Sequence, residues 1–147
     1  MNQIAPYPIW VGHGGEGHDF AHILDLGIEA VVELAGEEPC YPTRRDLIAC
    51  HFPLIDGVGN RPELLALATR TVACLLSWRI PTLVCCGGGM SRAPAIIAAA
   101  LSLVERQPIE HALKQVACHH HADISPGLWS ELVALAPSLL ENVPPRC

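Results

Sequence analysis

The sequence predicts an α/β fold: a central, mostly parallel sheet of four to five strands flanked by helices, in one domain spanning residues 1–147. Three observations predict it. Short β-branched or apolar runs alternate along the chain with longer segments of helical spacing, the pattern of parallel strands joined by crossover helices. No repeat, low-complexity tract or linker divides the 147 residues, a length that suits one core. Half of the residues are hydrophobic and 16% are charged, a dense globular composition.

Taken in order, Pro8 to Val11 reads as a short first strand. His18 to Leu26 sets Phe20, Ile23, Leu24 and Leu26 at helical spacing, with Gly27 as the stop. Ile28 to Ala35 is a β-branched run and a buried strand. Gly36 to Asp46 carries two prolines, Cys40 and the pair Arg44-Arg45, and reads as a surface loop. Leu47 to Leu54 is another strand, ending in the turn-rich Asp56-Gly57-Val58-Gly59-Asn60. Asn60 is expected to cap a helix with Pro62 and Glu63 in its first turn, running through Leu64, Leu67, Ala68, Val72, Leu75 and Leu76. Pro81 to Cys86 is the next strand, followed by three glycines and an alanine-rich helix from Arg92 to Glu105. Pro108 opens a helix to about Cys118, and Pro126 a last one that Pro137 should kink or end.

Composition narrows the function. Nine basic against fifteen acidic residues give a net charge of −6, so no basic field serves nucleic acid or an anionic membrane. The start MNQIAPYPIW lacks the pattern of a secretory leader. Seven cysteines, an odd number with no C-x-x-C pair, read as reduced thiols of a cytoplasmic protein rather than a disulfide framework or a zinc site. A monomer without a metal or other cofactor is expected.

The chemistry concentrates in Thr82-Leu83-Val84-Cys85-Cys86-Gly87-Gly88-Gly89-Met90-Ser91-Arg92-Ala93-Pro94. A buried strand runs into a tight loop and then a helix N-terminus, whose unpaired N–H groups and positive dipole end suit an anion. Glycines let successive N–H groups of Gly87, Gly88, Gly89, Met90 and Ser91 turn inward as a phosphate-sized nest. A cysteine at such a terminus beside an arginine is favoured as thiolate, which makes Cys86 the candidate nucleophile. Arg92, six residues on, is spaced to fork onto two phosphate oxygens. From residue type alone, Cys86 is also consistent with a core cysteine at a tight turn.

Cys86-x5-Arg92 with Gly89 in the middle resembles the signature loop of the protein tyrosine phosphatases, and its Gly-Met-Ser-Arg ending is similar to the dual-specificity branch. Other segments resemble that family too: Trp10-Val11-Gly12, Gly27-Ile28-Glu29-Ala30-Val31-Val32, Phe52-Pro53-Leu54-Ile55-Asp56 and Ile124-Ser125-Pro126-Gly127-Leu128-Trp129. The resemblance implies a three-layer phosphatase-like domain. It also implies hydrolysis of a phosphorylated protein, on Tyr and Ser/Thr, or of a small phosphoester, through a phosphocysteine. Two positions depart from the family: Cys85 stands where His is usual, and Ala93 where Ser or Thr is usual. The first bears on tuning of the thiolate, the second on breakdown of the phosphoenzyme. Together they keep a second function open, a low-turnover phosphate-binding interaction module.

The departing ester oxygen needs a proton, for which a carboxyl group on a mobile loop is the usual donor. Asp56 follows a strand, is flanked by Gly57 and Gly59, and precedes Cys86 by 30 positions; the resemblance places the general acid there, while the Asp-Gly pair alone reads as a turn. His119-His120-His121 point in different directions on a helix and read as a solvated helix end rather than a metal site; the resemblance, which puts this region near the active site, also leaves them a place flanking the substrate. Arg44 and Arg45 are candidates for a distal phosphate or a solvated pair. Cys85 is a candidate to trap an oxidised Cys86 or simply a small core residue. Trp10, Trp78 and Trp129 read as core or rim packing.

Overall fold

A computed structural model of the chain describes residues 1–39 and 45–141. Its elements are β1 (Asn2–Gln3), β2 (Ile9–His13), α1 (Gly14–Gly17), α2 (Phe20–Asp25), β3 (Ala30–Ala35) and β4 (Ile48–Leu54). There follow α3 (Pro62–Ser77), β5 (Thr82–Cys86), α4 (Arg92–Glu105), α5 (Ile109–Ala117) and α6 (Pro126–Glu141). The five strands form one sheet in the order β1-β2-β5-β3-β4, parallel except for β1. The expected mixed α/β architecture, with a mostly parallel sheet between helices, is the one observed.

The two faces of the sheet follow from the period of two along a strand. Ile9, Val11, Val32, Leu34, Val84 and Cys86 face the larger core, which they share with Leu65, Val72, Ile96, Ile97, Leu101, Val116, Leu128 and Leu132 of α3 to α6. Val31, Leu83 and Cys85 face the opposite way, against Ile23 of α2 together with Ile28 and Leu47. Such double coverage is why the strands read as nearly continuous apolar runs. Helix α4 is buried from Arg92 through Leu103; its alanines allow close approach, and burying its branched side chains stabilises the fold by roughly 1.5–3 kcal/mol each.

Three local expectations need correction. Asn60 does not cap α3: Arg61 is the N-cap residue and supplies no side-chain bond, because the Asn60 amide is committed to the preceding loop. Pro137 does not end α6, which continues to Glu141. That exposed proline forgoes a single hydrogen bond, while buried Leu132 and Leu139 on either side hold the helix on the core. Trp78 packs in neither core nor rim, being 66% exposed; Trp10 and Trp129 do pack against the two clusters. Strand β1 and helix α1 were too short to show in the periodicity.

Candidate active site

Parallel pairing of β5 between β2 and β3 sets His13 opposite Cys86 and Glu33 opposite Cys85, so three strand ends converge on one edge of the sheet. Cys86 ends β5 and is 2% exposed. The loop then turns within Gly87 to Ser91 and enters α4 at Arg92. Its tightest point is Gly89, with φ of +71°. A Cβ there would stand 2.9 Å from the carbonyl oxygen of Gly12 and 3.1 Å from the nitrogen of His13, so a side chain is excluded by both conformation and space. Loop and β2–α1 junction are stitched by the Gly14 N–H donating to the Gly87 carbonyl at 3.3 Å, and Gly89 N–H donates to the Cys86 carbonyl at 3.2 Å. No side chain among the described residues caps α4, which leaves its first N–H groups for an anion.

Arg92 is 5% exposed and its guanidinium is divided between two tasks. Both terminal nitrogens bond the two carboxylate oxygens of Glu37, with Nη1 to Oε2 at 2.7 Å and Nη2 to Oε1. Nη1 also donates to the Leu54 carbonyl at 3.1 Å. The buried Nε has no hydrogen-bond partner among the described residues. Of the five N–H bonds of a guanidinium, the Nε–H and one Nη2–H therefore remain, along one edge, suited to two oxygens of a tetrahedral anion. The hydrogen bond from Arg92 holds Glu37 well below the usual carboxylate range, at about 2. The hydrogen bond to Glu37 raises the pKa of Arg92, and negative charge at Cys86 and Asp56 adds to the shift.

Asp56 meets this loop through one hydroxyl. Ser91 Oγ donates to Asp56 Oδ1 at 2.5 Å and accepts from the Ser125 N–H at 3.0 Å. Its one proton is thus directed at the carboxylate and not at Cys86. The three predicted residues Cys86, Arg92 and Asp56 are brought together, and Ser91 links the last to the loop. Within the acid segment, Asn60 Oδ1 accepts from Ile55 N–H at 2.7 Å, while its amide donates to the Ile55 and Gly57 carbonyls at 3.1 and 3.0 Å. The segment expected to be mobile is pinned.

One sequence reading changes here, and one open alternative closes. His120 is more than a solvated helix end. Its Nδ1 lies 3.0 Å from the Asn2 amide nitrogen, which must donate, so Nε2 carries the proton and gives it to the Gly89 carbonyl at 2.9 Å. His119 bonds instead to the Gln115 carbonyl, so the histidines do not converge. Cys85 faces the opposite side of the sheet from Cys86 and its thiol bonds Glu33 Oε2 at 3.4 Å, so strand alternation separates the two sulfurs and removes the basis for a disulfide between them. Arg45 is exposed; Arg44 and Cys40 lie outside the described residues. Glu37 was missed, although its place just beyond the end of a strand beside β5 was a usable signal.

No family model matches the sequence, and no curated protein matches it. Solved structures do. Human DUSP28 superposes with a TM-score of 0.83 over 97% of this chain and 100% of its own, at 19% identity. The fold is that of the dual-specificity phosphatases. A mouse putative dual specificity phosphatase complexed with zinc tungstate gives 0.82 at 19% identity, over 95% of this chain and 88% of its own. The human tyrosine phosphatase-like serine/threonine/tyrosine-interacting protein gives 0.79 at 15% identity, over 95% and 97%. Among the described residues, no helix is long and apolar enough to cross a membrane.

Proposed function

We propose that this protein is a phosphomonoester hydrolase of the dual-specificity type, acting on phosphorylated Tyr and Ser/Thr side chains or on small phosphoesters. The observation that carries the reading is the buried Nε–H of Arg92, without a partner among the described residues, beside Cys86 and a helix N-terminus that its N-cap side chain does not cap. That arrangement supplies donors to the equatorial oxygens of a phosphoryl group without reorganisation. The Cys86 thiolate attacks phosphorus, forming an S–P bond as the ester P–O bond breaks, and Asp56 gives its proton to the departing oxygen. Asp56, now ionised, takes a proton from water as that water attacks the phosphocysteine. The S–P bond breaks, and inorganic phosphate and the thiolate are regenerated. Glu37 takes no part in proton transfer: it holds the guanidinium so that the remaining edge points to the substrate.

The test is Cys86→Ser assayed with an aryl phosphate. Turnover should be abolished while vanadate, a phosphate mimic, still binds, because the cradle is backbone and Arg92. Substantial turnover in Cys86→Ser would show the nucleophile assignment to be wrong. A second reading, the phosphate-binding module of low turnover, draws support from Cys85 and Ala93 and from the phosphatase-like, interacting neighbour. Vanadate binding by the parent protein with negligible turnover of every phosphoester would favour it.

A further inference from the structure

The acid segment is tied to a helix far away in sequence. Glu131, on α6, accepts from the Gly59 N–H at 2.6 Å through Oε1, and through Oε2 from the Asn60 N–H at 3.3 Å and the Asn60 side-chain amide at 3.1 Å. Asn60 in turn closes the ring around Asp56 through Ile55 and Gly57. It is 8% exposed, so its amide is sequestered from competing water. The first turn of α6 is shaped to the same segment: a Cβ on Gly127 would stand 2.6 Å from Val58 Cγ1 and 3.0 Å from Val58 N. Gly59, at φ of +97°, turns its N–H toward the carboxylate in a conformation that side chains rarely adopt. The Gly59 N–H is the main cause that holds Glu131 below its ordinary carboxylate value.

We propose that Glu131 is a positioning residue for the general acid, locking the Ile55–Asn60 ring onto α6 so that Asp56 stands over the phosphate loop before substrate arrives. The inference rests on the reading of Asp56 as acid. Its physical content is the entropy of a glycine-rich segment, removed in advance by the Gly59 and Asn60 backbone N–H bonds to a single carboxylate, with the two protons of the Asn60 amide shared among that carboxylate and the Ile55 and Gly57 carbonyls. Without Glu131 the ring loses its charged tie to α6, and the Ser91 hydroxyl and the packing of Val58 against Gly127 are left to hold Asp56 there. Proton delivery suffers and attack by sulfur does not.

The experiment compares Glu131→Ala, Glu131→Gln and Asp56→Asn on nitrophenyl phosphate, whose leaving group needs little protonation, and on an alkyl phosphate, whose leaving group needs it fully. Glu131→Ala should lower kcat/KM roughly tenfold on the alkyl ester, the scale of one lost hydrogen bond to a charged group, while kcat/KM on nitrophenyl phosphate falls far less and iodoacetate alkylation of Cys86 keeps its rate, because kcat/KM reports only the steps up to departure of the leaving group. Glu131→Gln, with a single acceptor oxygen, should fall between. Amide hydrogen exchange at Gly59 and Asn60 should quicken in Glu131→Ala. Equal losses of kcat/KM on both esters, or unchanged exchange at those amides, would overturn the positioning role. If Asp56→Asn discriminates between the esters and Glu131→Ala does not, the clamp fails alone. If Asp56→Asn does not discriminate, the acid assignment fails and the clamp with it.

Discussion

Two loops meet at the candidate site and are built in opposite ways. The β5–α4 loop takes its form from main-chain geometry: Gly89 at φ of +71°, the Gly89 N–H on the Cys86 carbonyl, and an uncapped helix start. The β4–α3 loop takes its form from side chains, the Asn60 amide within it and Glu131 from α6 outside it. The difference teaches where each can be damaged. A backbone cradle is broken by adding a side chain, whereas a side-chain clamp is broken by removing one.

The largest effect that would sharpen this contrast lies at Ala93, buried at the start of α4. The family resemblance assigns the usual hydroxyl here to stabilising the thiolate as it leaves phosphorus. Ser91 cannot stand in, since its proton goes to Asp56. Pre-steady-state kinetics on a fast substrate should show a burst near one equivalent per site. Ala93→Ser should shrink the burst and raise the steady-state rate, by at most roughly ten- to a hundredfold if a hydrogen bond of about 1.5–3 kcal/mol is fully expressed. No burst in the parent and no gain in the variant would mean that the second step is not limiting.

A matched pair probes the two loops next. Gly89→Ala adds a Cβ where the backbone is left-handed and Gly12 is 2.9 Å away, and should cost about 1–2 kcal/mol from conformation alone. Asn60→Ala strands the Ile55 N–H and two carbonyls and should cost about 1–3 kcal/mol. Thermal melts should fall similarly, yet vanadate affinity should drop only in Gly89→Ala, and kcat/KM should drop selectively on alkyl phosphates in Asn60→Ala. Identical kinetic signatures would erase the distinction drawn between the loops.

The smallest effect concerns pH. Glu37 is held at about 2 against an ordinary 4.5. Because its folded value is the lower one, its contribution to stability is present above about 4.5 and is lost as pH falls toward 2. Its side chain is 59% exposed, so water and salt weaken the gain. Melting temperature should depend less steeply on pH across that window in Glu37→Gln than in the parent. Equal slopes would show that the pair with Arg92 does not persist in solution.

What was legible in the sequence is what short-range geometry decides. The strand Pro81 to Cys86, the glycine turn and the helix from Arg92 to Glu105 were readable because period, φ requirement and helix start all lie within a few consecutive residues, and α4 has the bounds expected. The alternation of Leu83 and Cys85 against Val84 and Cys86 follows from the same local rule. Asp56 was legible as a turn carboxylate, and its place beside the loop came from the family resemblance.

Only the tertiary structure decided which partners complete those local pieces. The Asn60 amide reads locally as a helix cap, but the turn it closes sits under Glu131, 71 residues later. Glu37 is one more acidic loop residue until the parallel pairing of β3 and β5 brings the ends of those two strands to the same edge. His120 looked solvated until the segment after α5 folded back to meet Gly89, and of the two readings open for Cys85, redox partner or small core residue, the structure leaves the core one, because β5 turns its sulfur away from Cys86. Backbone conformation and strand period are settled by neighbours in sequence, whereas a hydrogen-bonding side chain has several potential partners, and which one it takes is fixed only when packing brings distant segments within about 3 Å.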